Sequence, residues 1–271
     1  MFGFGFELSS AERWWLCCPV LFCEICGLRS LVMKAPLLKA FAPYMQAQSN
    51  LASQTIRPQL PAVTISRETA AGAVTIAKMV AERLDRREEG YDDRCPWAVF
   101  DRNLAEKVLE DHNLPTKLKE FMPEDAISPV DDVLEELLGL HPSQWTLVQH
   151  TIETVLRLAA LGNVVLVGMG ANLITTRLKH VLHVRLVAPL DRRQRHAEQY
   201  YHLSPKDAVE FVRKHDLARR RFVRRYFNSD IEDPLAYDLT INTGQIGFAE
   251  TARIIAEGVA GLKSRLEHKA A

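Results

Sequence analysis

The chain has 271 residues, 47% of them hydrophobic and 25% charged, and Lys plus Arg equal Asp plus Glu at 34 each. Such a balance gives the whole molecule no field that would select nucleic acid or an anionic membrane. The length is enough for one α/β domain of about 200 residues with a real core, plus extra segments.

Four of the five cysteines fall between Cys17 and Cys26. A disulfide framework is therefore not expected to hold the body of the fold, which suits a reducing cytoplasm, the expected location. Cys23 and Cys26 form a CxxC, but no second pair or His pair completes a zinc site. The apolar run from Trp14 to Phe22 is too short to span a bilayer and lacks the marks of a signal peptide. From Met33, "MKAPLLKAFAPYMQAQSN" reads like a natural beginning, and residues 48–62 are polar and proline-containing. Residues 1–60 are thus read as a poorly ordered extension and linker ahead of one domain over 61–265.

In that domain, "AVTIS" (62–66) is a short β-rich run, after which Ile76, Ala77, Val80, Ala81 and Leu84 recur on one helical face. "WAVFD" (97–101) is a second strand run, followed by a helix striped with Leu104, Val108 and Leu109. "SPVDDVLEELLG" carries Ser128 as N-cap, Pro129 at the first helical position and Gly139 as a stop. A longer helix spans 143–161, and "NVVLVGMGAN" is an apolar strand breaking into glycines. "VLHVRLVA" (181–188) is another strand, Ser204 and Pro205 open a long basic helix, "YDLTINT" (237–243) is a last strand and 248–262 a last helix. Strands alternating with helices, their cores apolar on both faces, predict an α/β fold with a parallel sheet flanked by helices.

In an open α/β sheet, ligands gather where strands lead into helices. The loop 67–75 lies at such a place. Ala70, Ala71, Gly72 and Ala73 are small enough for backbone N–H groups to curl around an anion, and the next helix adds its dipole. Against the phosphate-loop pattern GxxxxGK[ST] the match is partial. Arg67 stands at the first glycine, Gly72 fits the second, Ala73 replaces the lysine and Val74 the hydroxyl, with Thr75 one place late. On these residues alone, a strand–turn–helix packed closely through alanines is the simpler reading.

Several stretches taken together shift that balance. "VTISRETAAGAVTIAKMVAERL", "VFDRNLAEKVLEDHNLP", "VVLVGMGANLIT", "VLHVRLVAPLDRR", "KHDLARRRFVRRYF" and "DPLAYDLTINT" occur in the order and spacing of the cytidylate kinase-like family, which the chain resembles over roughly 61–262. The resemblance implies a P-loop NTPase fold like that of bacterial cytidylate kinase, with a basic helical lid. It also implies transfer of the ATP γ-phosphoryl group to a nucleoside monophosphate such as CMP, with Mg²⁺ on the donor phosphates. ATP and the monophosphate would be the partners, with no membrane and no nucleic acid.

The resemblance assigns Arg67, Gly72, Ala73, Val74 and Thr75 to the donor cradle, Thr75 offering the hydroxyl for Mg²⁺. Arg67 is equally open to a salt bridge with Glu68. Asp101, Arg102, Gly168, Gly170 and Asn172 would serve the acceptor, Asp101 and Arg102 being equally open to an N-cap aspartate beside a solvated arginine, with Met169 standing where the family usually has arginine. Arg219, Arg213 and Asp216 would act in catalysis from the lid. Residues 190–226 hold eleven Lys or Arg against five Asp or Glu, and Arg213, Arg220 and Arg224 share one helical face. No aspartate follows the third strand to hold Mg²⁺. The rival reading is therefore a catalytically impaired nucleotide-sensing or protein-interaction module on the same fold. Nucleic-acid binding through Phe222, Tyr226 and Phe227 is weaker, since aromatics at helical spacing are more simply core contacts.

The nine histidines form no HExxH or paired ligand pattern, His180 and His183 read as surface or strand-edge residues, and no GxSxG marks a hydrolase. Gly72→Val is expected to abolish ATP binding with the fold intact.

Overall fold

Strand β1 (Ala62–Arg67) is the middle of five parallel strands in the order β2-β3-β1-β4-β5, the others being β2 (Ala98–Phe100), β3 (Val164–Val167), β4 (Val181–Val187) and β5 (Leu239–Asn242). The helices are α1 (Ala73–Arg87), α2 (Arg102–Asp111), α3 (Gln144–Leu161), the single turn α4 (Ala171–Ile174), α5 (Leu190–Tyr201), α6 (Pro205–Phe227) and α7 (Phe248–Ala270). This computed structural model describes residues 60–87, 96–113 and 144–270. The chain divides into units of residues 1–54 and 55–271, and everything described belongs to the second. The extension expected before Leu60 and the helix expected over 128–139 lie outside the described residues.

The predicted parallel sheet with flanking helices is what the chain forms. Val63 and Ile65 of β1, Val165 and Val167 of β3, and Leu182, Val184 and Leu186 of β4 share one face. Against it pack Ile76, Val80 and Leu84 of α1 with Ile255 and Val259 of α7, making the main core. Truncating one of the fully buried isoleucines to alanine would cost about 2–5 kcal/mol.

The other face of β1 and β4 departs from the expectation of strands apolar on both sides. Thr64 lies opposite His183 and Ser66 opposite Arg185 in the register. Each pair is bonded across the strands, Thr64 Oγ1 to His183 Nδ1 at 2.9 Å and Arg185 to Ser66 Oγ at 2.9 Å. Polar groups are admitted here because each meets its partner in the neighbouring strand. His180 is also not at the surface. It is 1% exposed, its Nε2–H donating to the Ala159 carbonyl (3.0 Å), because the turn entering β4 is pinned beneath β1 by Ala62 N–H to His180 O (2.9 Å).

The connections from neighbouring β1 and β3 run opposite ways along the sheet, to β2 on one side and to β4 on the other. Such a reversal opens a crevice at the carboxyl ends of the strands.

Candidate functional site: a small-residue loop beneath a basic helix

Residues 68–71, past the end of β1, are each fastened by a different element. The Glu68 N–H donates to Leu186 O of β4 (2.9 Å). Thr69 donates its N–H and its hydroxyl to Asp216 Oδ1 of α6, at 2.7 and 2.6 Å. The Ala70 carbonyl takes the Nδ1–H of His196 of α5 (2.8 Å), a carbonyl being able only to accept. The Ala71 carbonyl takes the Thr243 hydroxyl (3.0 Å), just past β5. Ala70 and Gly72 lie at φ 62° and 83°, so the chain doubles back into α1.

This holds the N–H groups of Ala73, Val74 and Thr75 at the first turn of α1, where a helix has no acceptors of its own. All three residues line a cleft with Arg67, Asp101 and Arg219. Ala73, at the lysine position, is 6% exposed and belongs to the main core. A Cβ at Gly72 would lie 2.3 Å from the Phe248 ring of α7. Gly72→Val would therefore strain the backbone at this φ and push the Phe248 ring aside, so its effect on binding is to be read together with its effect on stability.

Positive charge comes from arginines on three elements. Arg219 of α6 donates to the Thr69 hydroxyl (2.5 Å) and lies 3.7 Å from Asp216. Arg193 of α5, 8% exposed, bonds Asp216 Oδ2 (2.5 Å) and Ala188 O (2.9 Å) and pairs with Glu68 (3.3 Å). Arg185 of β4 is 6% exposed and lies over the Tyr237 ring at 5.9 Å. Burial pushes its guanidinium below the usual range, with Tyr237, Glu68 and Asp216 opposing that shift. The expected lid residues thus part company. Arg219 and Asp216 meet at the loop, whereas Arg213 is exposed and outside the cleft lining. Arg220 and Arg224, on the same face as Arg213, are exposed too, Arg220 pairing with Glu232.

On the acceptor side, Gly168, Gly170 and Asn172 line a small recess beyond β3 with Ser66, Phe222 and Ile231. Arg67 and Arg219 line this recess and the loop cleft alike. Asn172 is buried, its Nδ2 facing Ala236 O at 3.5 Å. Asp101 ends the turn before α2 and lines the cleft, and the Arg102 side chain lies outside the described residues. Met169 is buried at φ 56° and lines the cleft. Phe222 is buried, with Tyr226 and Phe227 packed beside it against Val148 and Ile231. These aromatics serve a core.

Sequence reasoning missed one wall altogether. Tyr200, Tyr201, Phe211 and His215 line the cleft in a chain of rings, with centroids 5.0, 4.8 and 4.3 Å apart in turn. It missed Arg185 and Arg193 as well. A lone arginine inside the apolar run "VLHVRLV" was the available signal for Arg185, since a charge in a central strand persists only if paired.

A parallel sheet whose central strand turns through a small-residue loop into a helix at the switch point defines an α/β P-loop NTPase fold. The chain belongs to the cytidylate kinase-like family, whose pattern matches residues 62–245. An uncharacterized protein from Eubacterium ventriosum is similar in structure, with TM-score 0.54 at 15% identity over 74% of this chain and 98% of that one. Shikimate kinase from Bacteroides thetaiotaomicron is more distant, with TM-score 0.42 at 12% identity over 74% and 98%. Shikimate kinase from Acinetobacter baumannii in complex with shikimate gives TM-score 0.41 at 16% identity over 75% and 95%. No curated protein matches the chain. Among the described residues, no helix is long and apolar enough to cross a membrane.

Proposed function

We propose that the domain over 61–265 is a cytoplasmic nucleoside monophosphate kinase that moves the γ-phosphoryl group of ATP to an acceptor such as CMP. The observation that carries this reading is the position of Arg67 and Arg219. Both line the loop cleft and the recess at the 168–172 turn, so a group passing between the two would pass beside two arginines. Phosphoryl transfer asks a protein mainly for such positioning and charge.

The donor phosphates would rest on the first-turn N–H groups of Ala73, Val74 and Thr75, and the ring wall at Tyr200, Tyr201 and Phe211 offers π-faces to the base. The donor set fits Mg²⁺ carried on nucleotide phosphates, with the Thr75 hydroxyl and the Asp101 carboxylate lining the same cleft. When bound, the ion would offset charge on the phosphate oxygens. Arg219 would stabilise the group in flight, and Asp216 would orient Arg219 while tethering the lid to Thr69. No lysine is required at Ala73 if the arginines supply the charge.

The test is transfer of label from γ-labelled ATP to a panel of nucleoside monophosphates. Label on a monophosphate that disappears with Arg219→Ala supports the reading. ATP binding without label on any acceptor favours the nucleotide-sensing module.

A further inference from the structure

A second cluster of reactive side chains stands apart from the cleft. His112 caps the last turn of α2, its N–H bonded to Val108 O (3.2 Å), and Asn113 follows at φ 54°. His150 and Glu153 lie three residues apart on α3, hence on one face. One donor atom from each of His112, His150 and Glu153 lies within 4.8 Å of the others, and His112 Nε2 stands 3.7 Å from Glu153 Oε2. The two imidazole rings are 3.8 Å apart at 31°.

The structure assigns a zinc site to His112, His150 and Glu153. Two imidazoles and a carboxylate suit Zn²⁺ and do not suit Mg²⁺ or Ca²⁺, which prefer oxygen. His150 Nδ1 is buried with no hydrogen-bond partner among the described residues, an expense that a metal bond would remove. Bonds of about 2 Å set tetrahedral donors about 3.3 Å apart, so atoms now within 4.8 Å of one another must draw together by up to about 1.5 Å. Glu153, with its side chain 61% exposed, is free to make that movement. Thr154 Oγ1 bonds Asp111 (3.3 Å), whose other oxygen holds Lys107 (2.8 Å), and its 3.5 Å contact with His112 Nε2 would give way to the ion. The carboxyl end of α2 adds a negative dipole that favours a cation. An ion there would clamp α2 to α3 about 16 Å along the helix from Asp101, leaving a further coordination position for water.

The test uses the full chain with Cys23→Ser and Cys26→Ser, stripped of metal and titrated with Zn²⁺ and, separately, with Co²⁺. The expected result is one ion per chain, a rise in melting temperature with Zn²⁺, and Co²⁺ d–d bands without thiolate charge transfer. His150→Gln should remove the binding, and Glu153→Gln should weaken it by about tenfold or more. Because Glu153 is exposed, the second variant keeps its fold and reads the site itself. No binding, thiolate bands, or binding unchanged in both variants would overturn the assignment.

Discussion

Asp216 Oδ1 accepts both the N–H and the hydroxyl of Thr69, at 2.7 and 2.6 Å, joining helix α6 to the loop after β1 across 147 residues of sequence. Its other oxygen holds Arg193, which also reaches Glu68. One carboxylate therefore joins the loop, helix α6 and an arginine that is nearly buried.

Asp216→Ala should lower stability by about 2–3 kcal/mol, because the enclosed Thr69 N–H loses its acceptor and the nearly buried Arg193 loses one of its two carboxylates. Urea unfolding of the variant against the parent measures this. A shift within about 0.5 kcal/mol, the usual size for a surface change, would show the junction to be energetically idle.

Arg219→Ala should reduce turnover by about a hundredfold or more while changing ATP affinity much less. Arg219→Lys should recover only part of the loss, since an ammonium cannot span two oxygens as a guanidinium does. Steady-state kinetics beside equilibrium ATP titration separates the effects; equal losses in both would assign Arg219 to ground-state binding.

Gly72→Ala should destabilise the chain by about 1–3 kcal/mol, combining left-handed strain with a collision against Phe248. In a Phe248→Ala background the same change should cost only the strain, about 1 kcal/mol. The double-mutant cycle reports the difference as a coupling energy. Additive costs would mean that the ring and the glycine do not constrain each other.

His183 gives stability a pH dependence. Burial holds its pKa below the ordinary 6.5, with Asp238 working the other way. Below 6.5 the unfolded chain takes up the proton first, so stability is present above that pH and falls as pH drops towards the folded value. Wild type should lose more stability than His183→Gln between about pH 7.5 and 5.5. Parallel losses would remove His183 from the account.

The fold was legible where periodicity records packing. Val63, Ile65, Ile76 and Val80 alternate or recur as a sheet and a helix require, and Ser204 caps α6, its Oγ accepting the Asp207 N–H (3.2 Å). Helix α5 left no such trace, because only Arg193 and Ala197 of it are buried. What holds it is Arg193 paired with Asp216 and Glu68, the His196 bond to Ala70, the contact of Ala197 with Ala208 and Val212, and a row of rings, none of which repeats with a period. The loop could be found from its small residues, but its reading changed once Phe248 stood against Gly72. His112 and His150 are 38 positions apart, and nothing short of the α2–α3 packing brings them together.

The most direct test of the central claim is where the phosphates of a non-hydrolysable ATP analogue rest on the chain. The account predicts them against the N–H groups of Ala73, Val74 and Thr75, with the terminal phosphate beside Arg67 and Arg219. An analogue seated elsewhere, or one that does not bind at all, would contradict it.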